Sequence, residues 1–175
     1  SWNWAKDVPF RHDIWALEFK FKPVRMIWVD VPQASGQMQR KLVWYMVYSV
    51  TNTGKIMQPV KDQDNTYKVE YVDRPVRFIP SFLLEGRDSL AEDGEFNKVY
   101  SDRVLPVAIG PITLREDRTR RFYSTVEISG NLAVGETKWG IVTWVNIDPR
   151  IDRFSIYVQG LTNAYRWQDA SGAYS

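Results

Sequence analysis

Lys41-Leu-Val-Trp-Tyr-Met-Val-Tyr-Ser-Val-Thr-Asn-Thr-Gly54 is the stretch on which the fold turns. It is apolar without a break from Leu42 to Tyr48, then becomes polar and stops at a glycine. The run is far shorter than the ~20 residues needed to cross a bilayer as a helix. As a strand it would be apolar on both faces, which requires a layer on each side of it and predicts a central position in a sheet. Thr-Asn-Thr-Gly then returns the chain to solvent, with Gly54 free to take positive φ.

Working outward, period-two alternation and clusters of β-branched or aromatic residues recur between turn signals, and no sustained helical period is seen. Leu17, Phe19 and Phe21 alternate with Glu18, Lys20 and Lys22, giving one buried and one wet face. After Pro23 the parity changes, and Val24, Met26 and Trp28 become the apolar set. Such a change means a bulge or a break, and an edge strand that kinks and moves to a second sheet would satisfy it. Further strands are expected at 67–72, 76–79, 121–129, 137–146 and 153–161. Asp62-Gln-Asp-Asn65, Asp73-Arg-Pro75, Asp117-Arg-Thr-Arg120 and Asp148-Pro-Arg150 serve among the turns between them. Short strands punctuated in this way, without helices between them, indicate an antiparallel sandwich or barrel.

Residues 139–145 and 154–158 read as a hairpin around an ordered loop. The interval from Ser81 to Val99 reads as a long loop, or a loop with one helical turn, and is the segment long enough for a functional excursion. One domain is expected over 1–175, with 1–13 as an N-terminal extension and 162–175 as a tail whose first residues pack.

Composition narrows the function classes. Twenty-three Lys and Arg against 21 Asp and Glu leave a net charge of +2, too small to imply a nucleic-acid partner. With no cysteine and a single histidine, His12, disulfides, Cys nucleophiles and Cys-rich zinc sites are excluded. His12 stands beside Asp13, but no second histidine and no Gly-x-Ser-x-Gly elbow nominate a triad. The acids of Asp62-Gln-Asp-Asn-Thr-Tyr67 alternate as calcium ligands do, yet Tyr67 occupies the position that demands glycine, so a polar hairpin loop is the reading. Glu92-Asp-Gly-Glu95 is a second acidic turn, and Arg115 to Arg121 a solvated basic one that includes Arg118, Arg120 and Arg121.

Two separated motifs carry a resemblance. Val50-Thr-Asn-Thr-Gly54 and, much later, Leu132-Ala-Val-Gly-Glu-Thr137 resemble the pattern of immunoglobulin-like modules in exported bacterial proteins, which usually have Pro where this chain has Val134. Together with Ser101-Asp-Arg-Val-Leu-Pro106 and the long string from Thr137 to Trp167, the chain resembles uncharacterised exported proteins of planctomycete-type bacteria over most of residues 10 to 167. The resemblance implies an all-β, antiparallel immunoglobulin-like sandwich of about seven to nine strands. It also implies an exported location, periplasmic, cell-surface or secreted, and transfers no activity.

The functional expectation is a non-catalytic binding or structural module without a cofactor or metal. Its partner would be a protein or a cell-envelope polymer, with no membrane span in this segment. A first alternative is a carbohydrate-binding module using exposed Trp and Tyr. Trp139 and Trp144, five positions apart and so on opposite faces of one strand, are the candidate ligand-stacking residues, one in the core and the other outward or covered. A second alternative is a hydrolase with its site in the 81–99 loop.

Overall fold

The computed structural model describes residues 13–88 and 96–163. In chain order the elements are β1 (Glu18–Phe21), β2 (Arg25–Pro32), β3 (Met38–Thr51), β4 (Ile56–Lys61), β5 (Tyr67–Val72), β6 (Val76–Phe78), β7 (Ser81–Asp88) and β8 (Phe96–Ser101). There follow α1 (Pro106–Glu116), β9 (Phe122–Tyr123), α2 (Thr125–Ile128), β10 (Gly130–Leu132), β11 (Thr137–Trp144) and β12 (Arg153–Gln159). Strands take 53% and helices 11%, so the fold is mostly β, and the sheets are antiparallel apart from the short β9–β11 pair.

The opening stretch is β3, and it organises the main sheet. β1 and β2 pair along one side of it, β11 along the other, and β9 lies beyond β11. Side chains alternate along a strand, so Trp44, Met46, Tyr48 and Val50 enter one core while Val43, Tyr45 and Val47 enter another. The first core is closed by Phe78 of β6, Phe82 and Leu84 of β7, Ile128 of α2 and Leu132 of β10, with Ile156 and Val158 of β12 at its margin. The second is closed by Leu105, Ala108 and Ile112 of α1 and its N-cap, against Val29 and Val31 of β2. β3 therefore lies between two layers, as its two apolar faces require. Each large side chain buried in this way is worth about 1.5–3 kcal/mol relative to exposure.

Asn52 explains why the strand ends in Thr-Asn-Thr-Gly. The residue is 1% exposed, and its Nδ2 donates to the carbonyls of Arg74 and Leu132, both at 3.0 Å. Its Oδ1 accepts from Gly54 N at 2.9 Å, while its backbone bonds Glu136 O and Gly135 N. The two motifs of the sequence resemblance thus touch each other. Gly54 takes φ +77°, and a Cβ there would fall 2.3 Å from Asp73 Oδ1.

Several expectations are corrected. The chain has helices. Leu105, Ala108, Ile109 and Ile112 recur at helical spacing and face the sheet, and Pro106 at the first turn suits a helix start, which outweighs the disruption from Pro111 inside it. The strand expected over 121–129 shrinks to β9, because Ser124 and Glu127 form a reciprocal capping box that opens α2. The expected long loop over 81–99 is instead the antiparallel pair β7–β8, Leu83↔Ser101 to Asp88↔Phe96; residues 89–95, and with them Glu92 to Glu95, lie outside the described residues.

The 139–145 and 154–158 segments do not form a hairpin. β11 pairs β3, whereas β12 pairs β7, so the loop between them carries the chain from the main sheet to the three-stranded sheet of β12, β7 and β8. No such crossing happens at Pro23. Between the pairs Phe21↔Tyr48 and Arg25↔Tyr45, Lys22, Pro23 and Val24 stand opposite Met46 and Val47, a one-residue bulge on an edge that never leaves β3. The buried set beyond it is Ile27, Val29 and Val31, while Met26 and Trp28 face out.

Candidate functional site

β2 and β3 form a hairpin longer than the sheet it joins. From Met38 to Val43, β3 has β2 on one side and no described strand on the other. One face of this projection is closed by α1. The opposite face carries Met26, Trp28 and Met38, which are 44%, 56% and 59% exposed. The loop between β11 and β12 rises beside that face, and the two enclose a groove of about 420 Å³. Its floor is Met26, Trp28, Leu42 and Trp44; Ile147, Pro149 and Ile151 form the wall, with Gln39, Arg40, Lys41 and Asn146 on the rim.

Local chemistry fixes the wall. Asp148 accepts from Lys98 Nζ at 2.7 Å and from Arg150 at 2.8 Å, and its N–H donates to Tyr100 Oη at 3.0 Å. Hydrogen bonds from Arg150 and Lys98 hold its carboxyl well below the usual carboxylate range. Ile151 fits because position 86 is glycine: a Cβ there would meet Ile151 Cδ1 at 2.2 Å. On the rim, Lys41 Nζ donates to Asn146 Oδ1 at 3.1 Å, and the Arg40 guanidinium stands 5.8 Å from the Trp28 ring centroid.

The two tryptophans expected to stack on a ligand are placed otherwise. Trp144 is fully buried in the inter-sheet core opposite Trp44. Trp139 is half-buried at the α1 face, with the Arg120 guanidinium 3.9 Å from its ring centroid. β11 lies between β3 and β9 and is covered on both sides, so the one-core, one-covered division holds while neither residue presents a free face. Among the described residues Trp28 is the exposed indole. Its signal was the β-branched trio Ile27, Val29 and Val31, which takes the buried parity and turns position 28 outward.

The remaining candidates also resolve. Arg120 and Arg121 stack on Trp139 and Tyr123, and Arg115 donates to the Met26 carbonyl, so the basic run is engaged largely within the chain. Asp62 to Thr66 is the β4–β5 turn, closed by Asp62 N donating to Thr66 O at 2.7 Å, with Asn65 at φ +60°. Among the described residues no group of three or more His, Cys, Asp or Glu is placed to hold a metal, and no described helix is long and apolar enough to cross a membrane. His12, Trp2 and Trp4 lie outside the described residues.

An ionic cluster around one buried carboxylate went unnoticed in the sequence. Glu116, whose side chain is 5% exposed, accepts from Tyr45 Oη at 2.7 Å, Arg25 at 2.8 Å and Lys22 Nζ at 3.3 Å. Burial pushes its carboxyl up, but the hydrogen bonds from Tyr45, Lys22 and Arg25 outweigh that and hold it below the ordinary 4.5. Burial, followed by the bond to Glu116, pushes the Tyr45 hydroxyl up to about 12. Every partner of Glu116 belongs to the main sheet, so the cluster acts as a clasp between the end of α1 and the Pro23 bulge. Compared with known proteins, the chain matches no family model, no curated protein and no solved structure.

Proposed function

We propose that this chain is a non-catalytic binding module of an exported or cell-envelope bacterial protein, an immunoglobulin-like sandwich whose ligand face is the groove at the β2–β3 hairpin. The observation that carries the reading is Trp28, a large indole 56% exposed on a sheet face beside a loop fastened by three hydrogen-bonding partners. Exposed aromatic surface in a walled groove marks binding rather than scaffolding. The contact between Asn52 and Gly135–Glu136 supports the immunoglobulin-like reading, since it joins the two motifs on which the resemblance to exported modules rests. The partner class is a protein or a cell-envelope polymer.

The test is retention of the purified chain on immobilised bacterial envelope protein and, separately, envelope polysaccharide. Wild type should be held on one of the two, and Trp28→Ala should lose that retention. Equal behaviour of the two chains on both supports would remove the reading.

A further inference from the structure

The groove is apolar at its floor and charged at its rim, and the charge has one sign. Arg40 and Lys41 are its ionic lining residues, with no acid among the residues that line it. Among the described residues neither cation forms an ion pair. Lys41 is satisfied by the neutral Asn146 amide, and Asp30, cross-strand from Arg40, does not come within ion-pair distance of it. The acid nearest in the wall, Asp148, already accepts from Lys98 and Arg150. Two cations outside any ion pair therefore line the groove: Arg40 on the Trp28 face, and Lys41, of the opposite strand parity, reaching the rim at Asn146, with the side-chain amides of Gln39 and Asn146 beside them.

Each part selects a feature of the ligand. The Trp28 face offers a flat apolar surface about the width of a pyranose ring, suited to the C–H face of a sugar. The amides are donors and acceptors that match hydroxyl groups. Guanidinium and ammonium groups beside that face match a carboxylate or sulfate on the same ring, and Arg40 can donate in bidentate fashion. Resting on the binding-module reading above, we propose that the groove takes an acidic saccharide, a polymer of uronic-acid or sulfated sugar rings. One ring stacks on Trp28, and its anion meets Arg40 and Lys41.

The experiment is isothermal titration of the intact chain with polygalacturonate oligosaccharides and a sulfated glycan, with neutral dextran and cello-oligosaccharides in parallel. The acidic sugars should bind and the neutral ones should bind at least about tenfold more weakly, a difference of about 1.4 kcal/mol. Arg40→Gln/Lys41→Gln should erase the difference, and Trp28→Ala should weaken every sugar. Affinity should also fall as salt rises from 0.05 to 0.5 M, values chosen to span about a threefold change in screening length. Trp28 and Arg40 are exposed and Lys41 is only half-buried at the hairpin edge, outside both core clusters, so circular dichroism of the variants should match wild type. Equal binding of neutral and acidic sugars, or acidic binding that survives the double substitution, overturns the proposal and leaves the module reading standing. Absence of binding to every sugar also overturns it; the module reading then falls only if the envelope-protein support fails to retain the chain as well.

Discussion

Asn52 Nδ2 donates to the Leu132 carbonyl at 3.0 Å, across 80 positions of sequence. The same amide holds Arg74 O and Gly54 N, so one buried side chain ties three chain segments together at the end of β3. Asn52→Ala removes all three bonds and leaves two carbonyls and one N–H buried without their partner. At about 1 kcal/mol per bond the loss should be about 3 kcal/mol. Asn52→Asp keeps an acceptor for Gly54 but cannot donate when ionised, so it should also destabilise, and less so in acid. Urea unfolding monitored by circular dichroism checks both; a loss under half a kcal/mol for the alanine variant would contradict the role.

Much of this was legible before any coordinates. The two-faced apolarity of Leu42 to Tyr48 predicted a strand between layers, and the parity change at Pro23 predicted a bulge or a break, of which the structure has the bulge and not the move to a second sheet. What failed has a common physical cause. The layer covering the second face of β3 is a helix containing Gly110 and Pro111, residues that mask helical spacing, so Leu105, Ala108 and Ile112 gave no sustained helical period. Partner choice was equally hidden: local pattern marks 139–145 and 154–158 as strands but not that they belong to different sheets, because hydrogen-bond partners are set by tertiary packing. Trp28 was misread for the same reason, since either parity of Val24 to Val31 is apolar enough to be buried.

The clasp between Glu116 and Tyr45 should shape stability at both ends of the pH range. The Glu116 carboxyl lies below its ordinary 4.5 in the folded chain. Its contribution is therefore present above pH 4.5 and is lost as pH falls through the folded value. Tyr45 is the opposite case. Its hydroxyl rises from 10.0 to about 12, so its contribution is present below pH 10 and is lost as pH climbs toward 12. Glu116→Gln should be less stable than wild type at pH 7, by about 1–2 kcal/mol, since Lys22 and Arg25 are 48% and 43% exposed and remain solvated when the carboxylate is removed. That gap should narrow below pH 4.5. Urea midpoints across pH 3 to 8 give the answer, and a gap that stays constant would rule out Glu116 as the titrating partner.

Tyr48 makes the reverse prediction. Its ring is fully buried between Phe19 and Phe82, and its hydroxyl has no hydrogen-bond partner among the described residues. A buried hydroxyl without a partner costs about 1–3 kcal/mol. Tyr48→Phe should therefore leave stability unchanged or raise it by about 1 kcal/mol. Gly140→Ala, cross-strand from Tyr48, should do the opposite: its Cβ would lie 2.3 Å from Tyr48 Cζ, and overpacking of this kind costs about 1–3 kcal/mol. Thermal melts of the two variants should move in opposite directions or, for Tyr48→Phe, not at all. A Tyr48→Phe melt well below wild type would mean that the hydroxyl has a partner.

Asp148 separates the wall of the groove from the stability of the whole chain. It fastens the 145–152 loop to β8 through Lys98 and Tyr100, and to its own loop through Arg150. Because the loop covers the margin of the inter-sheet core rather than its centre, opening it exposes little of the apolar surface that holds the sheets together. Asp148→Asn removes the charge and with it the pairing to two cations, while the backbone N–H can still reach Tyr100. Hydrogen exchange should rise over 146–152 and stay at wild-type levels in β3 and β11, with the global unfolding midpoint shifted little. Ligand retention on the Trp28 face should fall with the wall, since four of the eleven residues that line the groove, Asn146, Ile147, Pro149 and Ile151, come from this loop. If exchange in β3 accelerates to the same degree, the loop is part of the core and the groove has no independently fastened wall.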